Sequence, residues 1–229
     1  MESVYSNELL EQFRSGKKEF SNIILQFADL NDTDLTGLVI KNSKINYASF
    51  RLSNMKNVKF IDCEMFFVSF YSAEMENTLF EKCKMDMTRF DDAHFKNTRI
   101  MNSSLSYCLI VGVNMGELNL TSTAKFKVIT DMSAVVEDDI AGALKIIGAR
   151  IEELPIEIRY QINKRIAGTL QDFSKDTKLD TSAGNRAYGS NNSQYNRVFN
   201  AYQAINALGD ELIKYGKSEI YKNRKPYEK

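Results

Sequence analysis

Every fifth residue from Phe20 to Leu120 is large and apolar. The column reads Phe20, Leu25, Leu30, Leu35, Ile40, Ile45, Phe50 and so on through Phe90, Phe95, Ile100, Leu105, Ile110, Met115 and Leu120, and it stops at Lys125. With 43% of the chain apolar, a run of this length arises by chance with a probability on the order of 10⁻⁷. A period of five fits neither the 3.6 of a helix nor the 2 of a flat strand, so the chain must turn at regular intervals.

A second column runs two residues ahead of the first. It holds Ala28, Thr33, Leu38, Ser43, Ala48, Ser53, Val58, Cys63, Val68 and onward to Cys108 and Val113, nearly all small. The other three columns are mainly Asp, Asn, Lys, Glu, Ser and Arg. Each five-residue unit therefore turns one large and one small side chain inward and three outward.

The segments "FADLN", "YASFR" and "FVSFY" resemble the pentapeptide-repeat family, over roughly residues 17–124. The resemblance implies a right-handed quadrilateral parallel β-helix with four pentapeptides per square coil. That gives about 20 residues per coil and about five coils, which at the strand spacing of ~4.8 Å makes a rod of about 25 Å. Residues 20 apart then stack, so Phe50, Phe70 and Phe90 share one interior column. Met55 and Met75 lead to Phe95 in another.

The ends read differently. Residues 1–16 fit an N-terminal helical cap over Ser6 to Gly16, with Ser6 as N-cap and Leu9, Leu10 and Phe13 on one face. In residues 125–229 the period becomes helical. Ile140, Leu144, Ile147, Ile151 and Leu154 mark one apolar face, and Ile158, Ile162, Ile166 and Leu170 follow Pro155. A third helix is expected from Ser193, with Val198, Tyr202, Ile205, Leu208 and Leu212 inward, after a mobile loop near 174–192. The fold class expected is thus a β-solenoid followed by an α-helical C-terminal region of about three helices. That region is expected to cap the open end of the rod and to support a homodimer, as the resemblance also implies.

Candidate chemistry is sparse. The chain has three cysteines and one histidine, too few for a zinc centre of about four ligands. All three cysteines fall in the inward small column, where a buried thiol is inert. Cys63 and Cys83 are expected to be stacked neighbours that remain free thiols. His94 falls in an outward column. No nucleotide-binding, metalloprotease or nucleophile-elbow motif is present. No catalytic residue, metal or cofactor is expected, and the chain is read as non-enzymatic. No stretch is long and apolar enough to span a bilayer. No secretory signal is read at the N-terminus, and the expected compartment is the cytoplasm.

Charge narrows the partner. Lys+Arg and Asp+Glu both total 30, so nucleic acid is not expected to bind. The resemblance also offers the gyrase-protecting members of the family, which mimic duplex DNA and bind type II topoisomerases, of the quinolone-resistance type. Residues 14–125 hold 14 basic and 13 acidic residues, whereas a mimic of duplex DNA needs dense negative charge. The reading taken is a protein-interaction scaffold, with the topoisomerase-binding mimic as the alternative.

One outward column is not polar. Phe27, Tyr47, Phe67, Met87 and Tyr107 are spaced by 20, with Phe66 and Leu109 beside them. They are expected to form an external ladder and the interaction surface, because exposed apolar patches of that size are uncommon on monomers. The corresponding column on another face, Asn22, Asn42, Asp62, Lys82 and Asn102, reads as solvated. The ladder is expected to be covered by the chain's own helical region, a second subunit or a partner protein.

Overall fold

The computed structural model describes residues 1–130 and seven isolated positions further on: Gly142, Leu154, Ile156, Arg159, Tyr160, Lys164 and Lys214. The expected C-terminal helices, the 174–192 loop and the capping role lie outside the described residues.

Residues 1–130 form a parallel β-solenoid of about six turns. One sheet stacks Glu2–Ser3, Ile23–Gln26, Lys44–Asn46, Glu64–Phe66, Lys84–Asp86, Ser104–Ser106 and Ala124–Phe126. A second stacks Glu19–Ser21, Val39–Lys41, Lys59–Ile61, Leu79–Glu81, Thr98–Met101 and Leu118–Thr121. The third face pairs Glu74–Glu76 with His94–Lys96 and continues upward through single bridges to Asp34. The fourth is a column of bridges through Asp29, Ser49, Ser69, Arg89, Leu109 and Ile129. Within the repeat the register is uniform: Phe20 pairs with Ile40, Ile40 with Phe60, and Met65 with Met85.

The expected five coils are thus about six. Lys125 ends the apolar column and is exposed, but backbone pairing does not depend on that side chain. Ala124–Phe126 still pairs with Ser104–Ser106, and Ile129 still bridges Leu109.

The interior is built from the two inward columns. Phe50, Phe60, Phe70, Phe80 and Phe90 are fully buried. Rings 20 apart stack at 5.0 Å (Phe50–Phe70), 5.1 Å (Phe60–Phe80) and 5.2 Å (Phe70–Phe90). Rings 10 apart meet edge to face, at 5.9 Å for Phe50–Phe60 and 5.5 Å for Phe70–Phe80. Both geometries are favoured by the ring quadrupole. In the small column, hydroxyls and thiols donate to carbonyls 23 residues back: Thr78 to Met55 at 2.8 Å, Thr123 to Ile100 at 2.9 Å, Cys108 to Met85 at 3.2 Å. A polar group pointing into the core is thereby satisfied.

Corners have a single backbone solution. From Asn22 to Lys127, every fifth residue has φ between 44° and 78°, Glu117 excepted. This left-handed turn swings the chain from one face to the next. Only Gly, and to a lesser degree Asn and Asp, adopt it without penalty. Eleven of these 21 corners are Asn, Asp or Gly.

The N-terminal end is closed by the helix Ser6–Arg14, with Leu9 and Phe13 buried against the first coil. Tyr5, rather than Ser6, occupies the N-cap, and no side chain caps the helix. Gly16 takes φ 107° beyond it, and its N–H bonds the Phe13 carbonyl. At the other end the regular frame breaks at a 3₁₀ turn, Met115–Glu117, whose N-cap Asn114 accepts from the Gly116 N–H. Met115 consequently points out and is exposed, although it belongs to the inward column by count.

Candidate functional site

Phe27, Tyr47, Phe67, Met87 and Tyr107 all occupy left-handed corners of one edge of the solenoid, with φ between 52° and 55°. The Asn-rich edge, Asn22, Asn42, Asp62, Lys82 and Asn102, has the same backbone, φ 44–59°. There, the Asn42 amide donates to the Asn22 side-chain oxygen and every member is exposed. The two edges therefore differ in chemistry and not in geometry.

The structure brings four of the six expected surface residues into one cluster. Phe27 stacks on Tyr47 at 5.3 Å and 12°. Tyr47 meets the edge of Phe66 at 5.5 Å and lies 6.4 Å from Phe67, which is 6.1 Å from Phe66. Met87 continues the edge, and Tyr107 makes an edge contact at 5.5 Å with Phe126. Phe66 projects from the strand Glu64–Phe66, next to the corner.

These side chains point away from the core, yet most are buried. Tyr47 is 3% exposed, and Phe66, Phe67 and Met87 are also buried, while Phe27 and Tyr107 are half-buried. The burial extends onto the adjoining face. Ser49, Leu109 and Ile129 lie in its outward bridge column and are buried too. Sequence reasoning placed Leu109 beside the ladder but missed Ser49, Ile129 and Phe126. Phe126 stands 60 residues after Phe66 in the same column and was legible by spacing. Ser49 was not, because nothing in its type marks a covered position. Its hydroxyl donates to the Asn31 side-chain oxygen at 2.5 Å.

Beside this patch, the ring of Tyr71 lies between the guanidinium groups of Arg51 and Arg89, each 5.2 Å from its centroid. Arg89 is held by two bonds to Asp91. The contact is a cation–π sandwich locked by an ion pair.

Two of the remaining outward columns alternate in sign from coil to coil: Lys44, Glu64 and Lys84 in one, Lys56, Glu76 and Lys96 in the other. Lys44 meets Glu64 at 3.7 Å, and Glu76 sits between Lys56 at 3.1 Å and Lys96 at 3.3 Å. His94 Nδ1 lies 2.6 Å from Glu74, both well exposed. Hydrogen bonds from Lys56 and then Lys96 hold the Glu76 carboxyl below its ordinary range.

The three thiols are buried and free. The Cys83 thiol donates to the carbonyls of Phe60 and Glu81 at 3.4 and 3.5 Å, and the neighbouring Cys63 thiol, then burial, pushes its pKa up. Burial pushes Cys108 up to about 12. All three point inward and His94 points outward, so they form no nucleophile–base pair. Among the described residues no group of three or more His, Cys, Asp or Glu is placed to hold a metal ion. Among them also, no helix is long and apolar enough to cross a membrane.

Square coils, a 20-residue register and left-handed corners define a β-solenoid of the pentapeptide-repeat class. The model of that family, Pentapeptide repeats, matches residues 19–57 in eight copies, and the rod is a pentapeptide-repeat β-helix. No curated protein matches the sequence. Among solved structures, the chain is similar to Rfr23, a pentapeptide repeat protein from the cyanobacterium Cyanothece 51142. The identity is 12% and the TM-score 0.50, over 54% of this chain and 99% of that one. Trypsin-treated QnrB1, a plasmid-mediated fluoroquinolone resistance protein, matches at 16% identity and TM-score 0.38, over 50% of this chain and 60% of that one. HetL, involved in heterocyst differentiation regulation in Nostoc sp. strain PCC 7120, matches at 19% identity and TM-score 0.26, over 48% and 53%. At these identities the likeness concerns the fold alone.

Proposed function

We propose that the chain is a non-enzymatic protein-interaction scaffold, a rigid β-helix whose aromatic edge is a contact surface for a protein partner. The observation that carries this reading is the use of Phe, Tyr and Met at left-handed corners of that edge alone. Bulky residues there cost about 1–2 kcal/mol each relative to a right-handed conformation. Asn would fill the same corners at lower cost, as it does on the solvated edge. An apolar series held against that cost is explained by what its side chains touch.

The alternation of Lys and Glu along two outward columns, with the near-equal basic and acidic totals of residues 14–125, favours the scaffold over a topoisomerase-binding mimic of duplex DNA. Opposite charges in contact cancel instead of building a continuous negative surface. A supercoiling assay with purified gyrase separates the two: a scaffold without topoisomerase affinity leaves the rate unchanged.

The test of the scaffold uses the full chain with photo-reactive benzoylphenylalanine in place of Phe67, and in a second sample in place of Asn57. A partner contact gives an intermolecular adduct from position 67 and none from position 57. Adducts confined to the same polypeptide overturn the proposal and move the search to the polar faces. A homodimer adduct assigns the edge to self-association.

A further inference from the structure

We draw no further inference here: the strongest candidate, the buried outward face that runs from Tyr47 along the aromatic edge to Leu109 and Ile129, carries nothing because nothing in the structure shows what covers it.

Discussion

Phe27 and Tyr47 stack face to face, 5.3 Å apart, on consecutive coils, and both sit in left-handed backbone at φ 53° and 54°. Leu52 has the same conformation, φ 56°, but is 54% exposed. The pair separates backbone strain from side-chain contact. Leu52→Asn relieves strain and gives up little contact, so it should stabilise by about 1 kcal/mol. Tyr47→Asn relieves similar strain but loses a stacked ring and most of its buried area, and should destabilise by about 1–3 kcal/mol. Urea denaturation of the two full-length variants checks the signs. Stabilisation by both would mean that the aromatic edge contributes nothing to the fold.

Phe70 is the centre of the aromatic interior. It stacks on Phe50 and Phe90 and meets the edges of Phe60 and Phe80 at 5.8 and 5.5 Å. Four neighbouring rings locked in both directions leave the site little freedom to collapse. Phe70→Ala should therefore cost about 3–5 kcal/mol. Phe126→Ala, at an exposed ring of the last coil, should cost under about 1 kcal/mol. Thermal unfolding followed by circular dichroism distinguishes them, and equal losses would contradict the packing described.

Thr88 is the exception in its column. Its hydroxyl is buried and bonds to nothing, whereas Thr78 donates to the Met55 carbonyl at 2.8 Å. Valine has nearly the same shape as threonine without the hydroxyl. Thr88→Val removes an unsatisfied group and should be neutral or stabilising by up to about 1 kcal/mol. Thr78→Val breaks a made bond and should cost about 0.5–1.5 kcal/mol. Chemical denaturation midpoints of the two variants should move in opposite directions, and a clear loss from Thr88→Val would reveal a partner for the hydroxyl.

The solenoid was legible because the period-five column is a covalent fact of the sequence, and only one kind of chain path can turn all its members inward. The aromatic edge followed from the same arithmetic, since residues 20 apart must stack. The left-handed corners were equally written there, as Asn, Asp and Gly two residues after the large ones. The signal is diluted there because about half the corners carry other residues. Met115 illustrates the opposite limit. Its column predicts an inward side chain, but a local hydrogen bond from the Gly116 N–H to Asn114 turns the backbone into a 3₁₀ helix and reverses it. Ser49 and Tyr47 are buried although they point outward, and no periodicity within the rod encodes that.

Glu76 ties three coils together through Lys56 and Lys96, and both bonds favour its charged form. Its folded pKa is accordingly below that of an ordinary glutamate. For a carboxyl depressed in the folded state, the stabilisation is fully present above the unfolded pKa. It is lost as pH falls through the lower, folded one. Asp34 behaves alike below 3.8, held down by the hydroxyl and then the backbone N–H of Thr36. The urea midpoint of the native chain should thus be flat above about pH 5 with respect to these groups and fall below about pH 4. Glu76→Gln lacks one of the titrating groups, so its midpoint should start lower at pH 7 and converge on the native value as the native carboxyl protonates in acid. Because the bridge is exposed, 1 M salt, with a Debye length of about 3 Å, should shrink the pH 7 difference. Denaturation curves that stay parallel from pH 7 to 3 would show that the Lys56–Glu76–Lys96 bridge adds nothing to the stacking of the coils.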